Sequence, residues 1–318
     1  SLTCIPSNAK IFRILFNKRR ISFYEKDGTK YIEMDGDIVL DSAVSGQYNK
    51  YVVTNLAYWA KSEGGSVGSG KPTVGDELVV LNKRSLRMGT KATTTTCKSL
   101  TLGDGTSTNY GQLTHDSGKQ TYANDGLFLT GYSQYVANLQ SATLEVAGKV
   151  TILSTAAEPC GFHQLQEKYT NTTLLVSAAV SGETGTGFVI GRTSSSWNCS
   201  TNNTVKFTNL SAYKGSIAVK AGKCQEITED YFGQKAVLSS WTTTGSLSVS
   251  TPGCILETVS ATDVLTASSV DLSAGSRLSV TFDADGHCSK VVATDSLTVG
   301  NGVQVAFANP PGITGRLA

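Results

Sequence analysis

The side chains best able to do chemistry are few and scattered. Only three histidines occur in 318 residues, His115, His163 and His287. Imidazole is the group that most readily moves protons near neutral pH. No His-Glu-x-x-His or Gly-x-Ser-x-Gly pattern surrounds any of them, so neither a zinc-binding helix nor a hydrolase nucleophile turn is written here. The densest group is Phe282-Asp283-Ala284-Asp285-Gly286-His287-Cys288. Asp283, Asp285 and the glycine begin like a calcium loop, but the glutamate at the twelfth position and the flanking helices are missing. His287 beside Cys288 offers two metal-ligand types with no second cluster to complete a site. A hairpin turn at Asp285-Gly286, between strands Leu278–Phe282 and Lys290–Ala293, accounts for every residue of the group.

The other constellations are weaker. Glu226, Glu229 and Asp230 cluster, and Glu226 and Asp230 can share a helix face. Glycoside hydrolysis needs two carboxylates facing each other across a sugar, so a glycan-degrading enzyme is one alternative. Gly65 to Lys71 matches the first seven positions of a phosphate-binding loop. Pro72 then stands where a Ser or Thr hydroxyl must hold magnesium. Gly185-x-Gly187 and Gly191 have the wrong spacing for a dinucleotide fingerprint. Asn171, Asn198, Asn202 and Asn209 head N-x-Ser/Thr triplets, which a chain rich in these residues produces by chance. Cys4, Cys97, Cys160, Cys199, Cys224, Cys254 and Cys288 form no C-x-x-C pair. The sequence leaves open disulfides among the last six and buried free thiols. No catalytic, cofactor-binding or metal-binding residue is assigned, and the chain is read as a non-enzyme.

The elements that would have to position these groups are mostly strands. Charged residues are only 16% of the chain and Gly numbers 32, against about 25% charged in an average globular protein. Six prolines favour simple hairpins or stacked strands over long crossovers. From Cys97 onward, short runs alternate apolar and small polar residues between Gly-containing turns, the pattern of strands with one buried face. A four-residue phrase recurs at Ser99–Leu102, Thr143–Val146, Ser246–Val249, Arg277–Val280 and Ser296–Val299. Its copies are unevenly spaced, which argues against a solenoid of fixed period.

Two helices are expected. Tyr51, Val52, Leu56 and Trp59 fall near one face of a helix over 47–61. Tyr132, Tyr135, Val136 and Leu139 follow the i, i+3, i+4, i+7 spacing over 132–139. A helical turn is also expected over Glu226 to Phe232. Residues 1–96 read as a small α+β docking or assembly unit, 97–244 as a β-rich body and 245–318 as a C-terminal hairpin region. The predicted fold class is thus mainly β, an N-terminal α+β unit followed by an antiparallel body of sandwich, barrel or fibre type.

Residues 1–96 hold 14 Lys and Arg against 9 Asp and Glu, or +5, and residues 97–318 hold 13 against 16, or −3. A weakly basic head and a weakly acidic body can dock on each other; neither value points to nucleic acid. Lys18-Arg19-Arg20 suits an acidic partner or a solvated hairpin end. No run of about 20 apolar residues is present, so no membrane helix is predicted. The N-terminal segment does not have the order of a secretory signal, because its basic residues follow the apolar run.

At Gly245–Phe307 and Ser99–Gly105, the Ser-Leu-Thr-Val phrases, Asp-Gly and Asn-Gly turns and sparse charge resemble the bodies of bacteriophage fibres and related virion appendage proteins. The resemblance covers about 97–318. It implies a self-assembling structural virion protein, a homo-oligomer such as a trimer. Its N-terminal unit would dock to other virion proteins, and its body could bind a host-surface glycan, with no cofactor. The same texture fits a jelly-roll or sandwich shell protein, or a secreted pilus or adhesin subunit at the cell surface.

Overall fold

The computed structural model describes residues 10–16, 19–26, 29–34, 77–80, 84–88, 93–94, 98–107, 110–115, 118–138, 143–165, 172–191, 204–223, 231–232, 234–250 and 253–308. Among these there is no helix. The chain winds between two sheets, laying a main strand on each per circuit, with short extra strands such as Ala179–Gly182 and Ala212–Tyr213 in the first sheet and Trp241–Thr242 in the second. The first sheet orders the main strands Glu77–Val80, Ser99–Leu102, Gly118–Leu129, Thr143–Ile152, Thr173–Val176, Thr204–Phe207, Lys235–Leu238, Ile255–Thr258, Arg277–Thr281 and Gln304–Ala308. The second runs through Arg84–Met88, Gly111–His115, Gln134–Asn138, Cys160–Leu165, Gly187–Ile190, Ser216–Val219, Ser246–Val249, Val264–Leu272 and Lys290–Val299. Successive strands within each of these runs pair in parallel. The architecture is a parallel β-solenoid.

The in-register pairing stacks like positions into columns. One column of the first sheet is Leu144, Leu174, Val205, Ala236, Leu256, Leu278 and Val305. One column of the second is Leu113, Tyr135, Phe162, Ile190, Val219, Val249, Leu272 and Val299. Most members are fully buried and meet between the sheets. A fully buried side chain of this kind contributes roughly 1.5–3 kcal/mol through the water it sheds. Aromatic rings reinforce the centre: Phe162 lies edge-on to Phe188 at 5.5 Å and to Phe207 at 5.1 Å, and Tyr213 stacks on Trp241 at 6.2 Å.

The antiparallel body is therefore replaced by a parallel one. Alternation of apolar and polar residues is the same in both, so it does not decide between them. The recurring phrase is the rung of the ladder: three copies lie in the first sheet and two in the second. Its uneven spacing reflects coils of unequal length, since the Leu144 column steps by 30, 31, 31, 20, 22 and 27 residues. The α+β reading of the N-terminal unit is also corrected. Its described strands Lys10–Phe16, Arg19–Lys26 and Thr29–Met34 pair antiparallel, and the last continues in parallel into Glu77–Val80 and then Ser99–Leu102. One ladder thus crosses residue 96. The helix expected over 47–61 lies outside the described residues.

The helix expected over 132–139 is instead a turn followed by the strand Gln134–Asn138, with Tyr132 at a φ of 62°. Tyr135 and Val136 point to opposite faces of this strand, yet both are buried. The second sheet is covered on both faces here, and two adjacent apolar residues mimicked helical spacing. Of the helical turn expected at Glu226–Phe232, the described residues Tyr231–Phe232 form a short strand against Gly222–Lys223.

Candidate functional site

The Asp283–His287 turn is the one grouping among the described residues that could hold a metal ion. It connects Arg277–Thr281 in the first sheet to Lys290–Val299 in the second. The two flanking strands are therefore in different sheets, and the expected hairpin is corrected to a corner. The turn itself forms as the Asp-Gly pair requires: Gly286 has a φ of 82°, and Phe282 and Cys288 bridge antiparallel at its base.

Asp283 organises this corner. One carboxylate oxygen accepts bonds from the amides of Asp285 at 3.0 Å and His287 at 2.8 Å, and the other lies 2.8 Å from His287 Nδ1. Desolvation works upward on the carboxyl, but the contacts with His287 and Asp285 together outweigh it and hold it below the ordinary carboxylate range. The ligand atoms of Asp283, Asp285 and His287 lie within 4.8 Å of one another. Both Asp283 oxygens already have partners inside the turn, so the geometry explains a rigid corner. Cys288 stands apart, its thiol donating to the Ser289 carbonyl at 3.2 Å.

The other two histidines are buried in the solenoid. His115 Nδ1 lies 2.9 Å from the Tyr135 hydroxyl, which in turn lies 3.4 Å from that of Tyr122. Burial and the neighbouring Tyr122 push Tyr135 well above the ordinary phenol value, so its hydroxyl stays protonated and ties His115 to Tyr122 within the core. His163 is buried on the outer side of its strand, in register with Val136. The three histidines are not brought together.

Cys160 and Cys254 are free, buried thiols, pushed up to about 12 and about 11 by desolvation. Thiols so protonated are poor nucleophiles and ligands. Asn209 is exposed and accepts a bond from Ser211 at 3.4 Å. Glu226, Glu229, Asp230, the Gly65–Pro72 stretch, the other three Asn-x-Ser/Thr sites, and Cys4, Cys97, Cys199 and Cys224 lie outside the described residues.

Two features had no sequence signal. Asp263 bonds the amide and hydroxyl of Ser240 at 2.8 and 2.7 Å and those of Ser260 at 2.7 and 2.9 Å, stitching two consecutive coils. Its partners are 23 and 3 residues away, and only the coil length sets the first number. The second feature is the C-terminal end. Leu297, Val299, Val305 and Phe307 are exposed by 62, 56, 58 and 53%, although they belong to columns buried elsewhere or extend them. No protein-family model, curated protein or solved structure matches this chain.

Proposed function

We propose that this chain is a structural subunit of a virion appendage, a fibre, tail or head-appendage protein that assembles with copies of itself and performs no catalysis. The observation that carries the reading is the stacked ladder itself. Each coil contacts mainly its neighbours, so the molecule grows as a rod whose length follows coil number. Rods of this kind suit load-bearing projections. The outward sites of the first sheet, such as Thr151, Ser181 and Glu145, are small, hydroxylic or ion-paired, as with Lys119 and Glu145 at 2.8 Å. Together with the fibre-like texture of 97–318, these features support a role in shape and contact. Docking to other virion proteins falls to the N-terminal strands, and a host-surface glycan is the ligand class for the polar flanks.

Electron imaging of the native assembly, with mass measurement in solution at micromolar concentration, tests this reading. Rod-shaped homo-oligomers are expected. A stable monomer, or measurable cleavage of polysaccharide by the wild-type protein, would overturn it.

A further inference from the structure

We propose that the C-terminal end of the solenoid is the self-association surface, where a second copy of this chain stacks tail to tail. The inference rests on the assembly reading above and names the face that does it. The column from Leu113 to Leu272 is at most 5% exposed, yet its last member, Val299, is 56% exposed. The neighbouring column of Cys160, Phe188, Ile217, Leu247 and Val270 stays at 1% or below, then ends on Leu297 at 62%. In the first sheet, Leu256 at 0% leads through Leu278 to Val305 at 58%, with Phe307 beside it. These are core residues of a coil whose next neighbour is missing among the described residues.

Five of the six large exposed apolar residues lie on the last two strands; the sixth, Leu153, is at a corner elsewhere. Leu297, Val299, Val305 and Phe307 expose on the order of 400 Å², in the range of the largest apolar patch of a monomer, which is often functional. Two such faces with their strand edges reach about 1,000 Å² in total, the lower bound for a specific interface.

The chemistry of the end selects another copy as occupant. Lys290–Val299 and Gln304–Ala308 are the outer strands of their sheets, so their outer backbone edges are open among the described residues. A partner must offer two strand edges flanking an apolar strip, which is what this same end offers. Open edges of this kind recruit strands. A two-fold axis brings like ends together with strands antiparallel and closes every edge at once. Charge does not oppose it: Lys290–Val299 carries one Lys and one Asp, and Gln304–Ala308 carries none. Head-to-tail growth is hindered, because the N-terminal edge of the first sheet is occupied by the antiparallel strands from Lys10 to Met34.

Sedimentation equilibrium of the wild-type chain, a Leu297→Glu/Phe307→Glu variant and a Leu153→Glu control decides the matter, with circular dichroism confirming that all three keep their β signal. The end variant is expected to weaken dimerisation at least about 100-fold, and the control to leave it unchanged. Assembly that persists in the end variant, or is lost equally in the control, overturns this inference while leaving self-assembly standing. A wild-type monomer at all concentrations overturns both.

Discussion

Asp263 shows how a single side chain can set the pitch of a coil. Desolvation works against its charge, but the donors of Ser240 and Ser260 outweigh it and hold the carboxyl below its ordinary value. A carboxyl depressed in the folded state stabilises the fold at pH values above its unfolded pKa, about 3.9. That contribution is lost as pH falls through the lower folded value. Asp263→Ala is therefore expected to melt below wild type at pH 7, with the gap narrowing in thermal scans from pH 4 downward. A gap independent of pH would mean that the charge is not what matters. Glycine makes the complementary point. Gly148 has a φ of 88°, and a Cβ there would strike the Tyr122 carbonyl, so the bulge beside it tolerates no side chain. Nothing in the sequence marks the long-range contacts of Asp263 and Gly148, because Ser240 and Tyr122 lie more than twenty positions away.

At the scale of elements, the strands were legible and their partners were not. Thr173–Val176, Thr204–Phe207 and Ser246–Val249 declare themselves by alternation, with alternate residues buried. Pairing direction depends on how far the chain travels before the next rung, and this distance varies between 20 and 31 residues. Asp-Gly pairs compounded the difficulty. The turn chemistry at Asp285-Gly286 is legible, but a tight corner between sheets and a hairpin within one sheet ask for the same residues. The candidate site shared this fate: the Asp283 turn was visible as a turn, and its place between sheets was not. The ladder also sets a rule for deletions. Leu174 pairs with Val205, so removing 175–205 excises one whole coil and joins Leu174 to Lys206 in the same register. Removing 175–189 would instead join a first-sheet strand to Ile190 of the second. The whole-coil deletion is expected to keep a β spectrum and a cooperative melt, and the half-coil deletion to lose both. Equal behaviour of the two would show that rung register does not govern folding.

For the whole molecule, stability should follow position along the stack. In a quasi-one-dimensional fold each coil is held by its two neighbours, so a coil with one neighbour opens more easily. The central strands from Thr143 to Phe207 carry fully buried columns. Lys290–Val299 is exposed or half-buried along its whole length, although the ten-residue strand is well paired with Val264–Leu272. Backbone pairing and side-chain burial thus separate at this end, which makes it a test of what holds the coils. Amide exchange read by mass spectrometry on the dilute chain should find protection highest over Leu144–Val180 and falling towards Gln304–Ala308. If burial of the columns is the main force, protection of 290–308 should then rise with protein concentration, as tail-to-tail stacking returns the missing neighbour. Protection at the end that matches the centre at every concentration would show that strand pairing alone holds the last coil, and would remove the physical reason for a second copy to bind there.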